Sequence, residues 1–163
     1  MAHNYLSISP SEFETLAADI LSAVHSVNFE RYGEGPDGGI DCKHVTAEGE
    51  VWIGQAKRYK DVKALLRLIP KEKQKMLDLE QKPTKYFLVA ACSLSPTNKN
   101  EIVKNMQPFV CSTGDIYGAE DLDALLYRHP AVSVDVKQVV SSIKKILPSV
   151  DPKNIVSVRK SFP

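Results

Sequence analysis

The chain has 163 residues, 43% of them hydrophobic and 25% charged, which suits one soluble globular domain with a buried core. No run approaches the ~20 apolar residues of a membrane span, and the N-terminus lacks the apolar stretch of a signal peptide. Membrane classes are therefore set aside and a cytoplasmic location is expected. A formal net charge of +1 excludes a uniformly basic nucleic-acid binder.

Ser9-Pro10-Ser11-Glu12 is a capping box, with Pro at the first helical position. It opens a helix to about Val24 whose stripe is Phe13, Leu16, Ala17, Ile20, Leu21 and Val24. Val27 to Tyr32 reads as a strand. A turn with Gly35, Pro36, Asp37, Gly38 and Gly39 leads to a strand at Ile40 to Lys43, and Val51 to Lys57 is the next. Asp61 caps a helix that Pro70 should break or kink, with a second helical stretch to about Gln81. Tyr86 to Ala91 is a continuous apolar run, as in a strand buried on both faces. Ser95-Pro96 starts a helix to about Met106, and Phe109 to Cys111 reads as a short strand. Helices are expected at Gly118 to Tyr127 and Val134 to Leu147, followed by a polar tail. The implied domain is 1–147, with 148–163 as tail or linker. Strands with helical crossovers imply an α/β fold, a mixed sheet flanked by helices on both faces.

The chemistry gathers between Gly35 and Lys57. Gln55 and Lys57 stand two apart on one strand, so they project to the same face. If the preceding strand is its antiparallel neighbour, Asp41 sits beside them. A carboxylate, a carbonyl oxygen and an ammonium then converge, the outline of a site for a metal ion and a phosphate. Asp37 could join that cluster, but Pro-Asp-Gly is also an ordinary turn. From Lys57 to Lys75 there are eight cations against two acids, Asp61 and Glu72. Such a run is either a solvated helix face or a surface for phosphates.

Pro36-Asp37-Gly38-Gly39-Ile40-Asp41 and Gln55-Ala56-Lys57-Arg58-Tyr59 resemble the two motifs of the Mrr-like restriction endonucleases, a branch of the PD-(D/E)xK nuclease superfamily. The resemblance implies the restriction-endonuclease-like fold. It also implies a metal-dependent endonuclease acting on double-stranded DNA, with Mg²⁺ or Mn²⁺ as cofactor. It points to Asp41, Gln55 and the backbone carbonyl of Ala56 as metal ligands. Glu14, in the Phe13-Glu14 pair that such domains carry, is a further carboxylate; alone it reads as a first-turn acid favoured by the helix dipole. Lys57 either orients and helps deprotonate the attacking water or holds the scissile phosphate. Arg58, Lys60, Lys63 and Arg67 are the expected DNA contacts, with packing an equal role for Tyr59. Ser93 is expected at the site's margin, and Ser95 as a helix cap. The segment from Ser93 to Pro130 also resembles nuclease modules fused to STAND NTPases in bacterial defence proteins. That implies an anti-phage or type IV-like restriction effector, homo-oligomeric when active, with a fused or separate STAND NTPase as partner.

Two other readings stand beside this one: a catalytically silent DNA-binding or regulatory module on the same fold, and a structural domain that mediates oligomerisation. No GxSxG elbow and no P-loop occur, so serine hydrolysis and P-loop ATP binding are not expected of these residues. Cys42, Cys92 and Cys111 lie far apart beside apolar runs and are expected to be buried, reduced thiols. The four histidines have no zinc-ligand spacing.

Overall fold

The computed structural model describes residues 4–32 and 39–132. Asp37, the expected helix at 134–147 and the tail lie outside the described residues.

Helix α1, Pro10–His25, begins with the anticipated capping box: Ser9 Oγ accepts from the Glu12 amide, and the Glu12 carboxylate accepts from the Ser9 amide. Two antiparallel strands and a third follow, β1 Glu30–Arg31, β2 Cys42–Val45 and β3 Val51–Lys57. Helix α2, Val62–Asp78, is capped by Asp61. Strand β4, Lys85–Ala90, leads to α3, Pro96–Asn105, whose cap is Ser95. Strand β5, Ile116–Tyr117, precedes α4, Ala119–Arg128. The sheet order is β1-β2-β3-β4-β5; the first two pairings are antiparallel and the last two parallel.

Alternation along the strands divides the core between the two faces. Val51 and Ile53 of β3 and Tyr86, Leu88 and Ala90 of β4 pack with Leu65, Ile69 and Met76 of α2 and Ile102 of α3. The opposite face carries Trp52, Phe87 and Phe29, which stack about His25 at the end of α1. Gly54 lets α1 approach: a Cβ there would sit 2.5 Å from Leu21 Cδ1 and 2.6 Å from Cys42 Sγ. The expected α/β architecture, a mixed sheet with helices on both faces, is the observed one.

Five expectations are corrected. Pro70 does not divide α2, which runs through it. Ile69, Glu72 and Met76 are buried on the inner side while Pro70 is exposed, so the proline lies on the side of the helix away from the core. Phe109 to Cys111 is not a strand. Phe109 and Val110 are buried but turn with the chain after α3, and the fifth strand is instead Ile116–Tyr117. As a result Cys111 is exposed, whereas Cys42 and Cys92 are buried as expected. Finally, Ile40 and Asp41 precede β2 instead of opening it, and β1 shrinks to two residues of the six expected.

Candidate active site

The regular ladder between β2 and β3 stops at Cys42 and Gly54. One residue further on, side chains take over the rungs. The Asp41 amide donates to Gln55 Oε1 at 3.1 Å, and Asp41 Oδ2 accepts the Ala56 amide at 2.7 Å. Gln55 Nε2 donates to the Gly39 carbonyl, so the buried Gln55 amide braces the backbone on both sides of Ile40. Polar groups leaving a ladder must find new partners, and here those partners are the motif residues. Splayed strands and a carboxylate aimed into the gap have the same cause.

Asp41 is half-buried, and no described residue bonds its Oδ1. Burial pushes its carboxyl above the ordinary carboxylate range. The Ala56 amide partly offsets this, Glu14 and Glu72 push it further up, and Lys57 pulls it down. Ionised Asp41 is therefore poorly solvated where it stands, a cost that a divalent cation at the carboxylate would relieve. One unbonded carboxylate oxygen and the second lone pair of Gln55 Oε1 are hard donors of the kind Mg²⁺ takes. The residues present fit such an ion. Among the described residues, no three His, Cys, Asp or Glu side chains gather as a metal cage.

The site extends to a residue that the sequence reading passed over. Lys57 Nζ pairs with Glu72 Oε1 of α2 at 2.7 Å. The Glu72 side chain is fully buried, and the Lys57 side chain is 12% exposed. Lys75 Nζ reaches the same oxygen at 3.1 Å, and the Tyr86 hydroxyl donates to Glu72 Oε2 at 3.1 Å. In the sequence Glu72 reads only as an acid within a basic run. Its signal was its position on the apolar stripe Leu65, Ile69, Glu72, Met76, spaced at helical period through Pro70. A carboxylate on such a stripe needs a buried partner.

Other expected residues fall elsewhere. Glu14, on α1, pairs with Arg31 at 2.8 Å, both side chains 31% exposed. It acts on Asp41 through its charge. Arg58 donates to the Ile8 and Leu6 carbonyls, each at 2.9 Å, and so braces the segment before α1. Lys60, Lys63 and Arg67 are exposed and make no ion pair among the described residues. Tyr59 packs against the core beneath α2. Ser93 is exposed and donates to Glu120, while Ser95 caps α3. No described helix is long and apolar enough to cross a membrane.

Residues 5–107 match the Mrr_cat family, described as restriction endonuclease. The match spans Glu14, Asp41, Gln55 and Lys57. The chain is 34% identical over 133 residues to the uncharacterized protein y4cD of Sinorhizobium fredii. That alignment takes in 81% of this chain and 20% of the relative, so the chain spans about a fifth of the relative's length. No solved structure matches.

Proposed function

This chain belongs to the restriction endonuclease family, and on that premise we propose that it is a metal-dependent endonuclease hydrolysing phosphodiester bonds of double-stranded DNA. The observation that carries the proposal is the splayed end of β2 and β3. There Asp41 is held by the Ala56 amide with one carboxylate oxygen unbonded, beside the strand that carries Lys57.

In this reading Asp41, Gln55 and the Ala56 carbonyl hold Mg²⁺ or Mn²⁺, and Glu14 joins them if Arg31 shares it. When bound, the ion supplies charge neutralisation at the phosphoryl oxygens and lowers the pKa of bound water. Gln55 is neutral, so the site carries one negative charge fewer than a Glu version, and a weaker affinity for the ion follows. Lys57 presents an ammonium to the scissile phosphate or orients the water. Hydrolysis exchanges one P–O ester bond for a bond to the water oxygen, and the leaving alkoxide takes up a proton. Lys60, Lys63 and Arg67, on and just before the exposed side of α2, hold flanking phosphates. The large span of the relative supports a modular role, as the effector of a defence or type IV-like restriction protein. There a STAND NTPase gathers several copies so that both strands are cut.

The test is supercoiled plasmid incubated with the chain and Mg²⁺ or Mn²⁺, against EDTA, with Lys57→Ala alongside. Metal-dependent nicking lost in the variant is expected; nicking that survives Lys57→Ala overturns the assignment. A second reading, a silent DNA-binding module, draws on the Gln55 amide and Glu14 being engaged by other groups. Duplex binding without cleavage under either metal, even in a chain fused to a dimerising partner, favours it.

A further inference from the structure

We propose that Lys75 is a second phosphate-binding cation of this site, and that Glu72 is the positioning residue that ties it to Lys57. The proposal rests on the nuclease reading and adds to it a group on α2 that neither sequence motif contains.

A single carboxylate oxygen, Glu72 Oε1, receives both ammonium groups, at 2.7 Å from Lys57 and 3.1 Å from Lys75. Two cations drawn to one oxygen are close neighbours, and without the shared acid they would repel each other. The acid cannot swing away. It is fully buried, and its other oxygen accepts from Tyr86, itself buried on β4. Neutralising a buried carboxylate requires one cation, and Lys57 is the more enclosed and the nearer. Lys75 leaves the cluster with a surplus positive charge, and its side chain is 41% exposed.

That surplus faces the site. A Cβ on Gly39 would lie 3.5 Å from Lys75 Nζ, which places the ammonium against the loop that leads into Asp41. Gly39 has φ +72°, so a side chain there would be strained as well as close to the lysine. Lys75 also lines a groove of about 710 Å³ with Tyr32, Ile40 and Lys43, whose lining includes the acids Asp78 and Glu80 as well, and Lys43 Nζ lies 5.5 Å from the centre of the Tyr32 ring. A cation fixed on a helix, against the loop that leads into Asp41 and lining a groove with a second cation, suits a phosphodiester oxygen of the strand that passes the site. The ligand class is the DNA backbone, held without regard to base.

The experiment measures binding of a short DNA duplex against salt, in Ca²⁺ in place of Mg²⁺, for the chain and for Lys75→Gln and Lys75→Arg. A lost phosphate contact lowers the slope of log affinity against log salt by about 0.9. Lys75→Gln should lose that increment, Lys75→Arg should keep it, and both should melt as the parent does. An unchanged slope in Lys75→Gln together with a lower melting temperature means that Lys75 only neutralises Glu72, and overturns the proposal. If the Gln variant melts too low to assay, Lys75→Met, which keeps the aliphatic stem, takes its place. Plasmid cutting by the parent is scored separately. Cutting with an unchanged slope sinks this inference and spares the nuclease reading; a lost increment in a chain that never cuts does the reverse. A parent that binds no duplex overturns the inference.

Discussion

Asp41 carries an electrostatic cost in the folded chain, and the direction of its shift makes that cost testable. Burial is the largest cause of its raised carboxyl. A carboxyl raised on folding holds its proton more tightly in the folded state than in the unfolded one. Stability therefore falls as pH rises from the ordinary aspartate value, near 3.8, through the raised value, above which the full cost is present. Asn at this position keeps an oxygen for the Ala56 amide and removes the charge. Asp41→Asn is expected to lose cutting altogether while melting at or above the parent temperature at pH 7. Mg²⁺ should raise the melting temperature of the parent more than that of the variant. Scanning fluorimetry with and without the ion checks both, and equal gains would remove Asp41 from the metal site. Substitution of Glu72 should act the other way on stability. Taking away its carboxylate strands the nearly enclosed Lys57 ammonium, so Glu72→Ala should cost roughly 3–5 kcal/mol by urea unfolding. A loss below about 1 kcal/mol, the range of exposed pairs, would show that the pair is solvated and not buried. Asp41, Gln55 and Lys57 were legible because strand parity and two short motifs place them. Glu72 was not, because its role is created by the packing of α2 on β4 and no spacing rule links it to Lys57.

At the level of elements, local signals held and non-local ones slipped. The caps at Ser9, Asp61 and Ser95 use bonds within three residues of themselves, so sequence alone places the helix starts. Strands depend on partners elsewhere in the chain. The ladder ends at Cys42 because the next rungs are bonds from backbone amides to side chains, Asp41 N–H to Gln55 Oε1 and Ala56 N–H to Asp41 Oδ2, and Ile116–Tyr117 becomes a strand because it lies beside Leu88 and Val89. Pro70 misled for a related reason: a proline breaks an isolated helix, but α2 is held from the other side by Ile69, Glu72 and Met76. The approach of α1 to β3 depends on Gly54. Gly54→Ala drives a methyl into Leu21 and Cys42, two side chains that are themselves enclosed. A loss of about 1–3 kcal/mol in urea unfolding is expected from overpacking of this kind. A neutral result would mean that α1 can withdraw from the sheet, and the arrangement of Glu14 relative to Asp41 would then be adjustable.

For the whole molecule, a net charge of +1 gives little long-range attraction for DNA. Binding must then come from where the charges lie. Lys63, Arg67 and Lys71 recur every four residues on the exposed side of α2, with Lys60 just before it, and none makes an ion pair among the described residues. The same helix carries Glu72, buried against Lys57, and Lys75 beside it, so one element joins the candidate site to the basic surface. Reversing two of these charges, Lys63→Glu with Arg67→Glu, should lower the salt slope of duplex binding by about 2, one phosphate contact for each residue. Exposed substitutions of this kind leave stability within about 0.5 kcal/mol, so any loss of affinity reports on the surface and not on the fold. Arg128→Glu, exposed at the end of α4, makes the same kind of charge change away from α2. It should leave the slope where it was. If Arg128→Glu and the double variant weaken binding in proportion to charge alone, the attraction is diffuse and α2 is an ordinary solvated face. If only the α2 variant responds, the helix that positions Lys57 from below also lays the duplex across it from above.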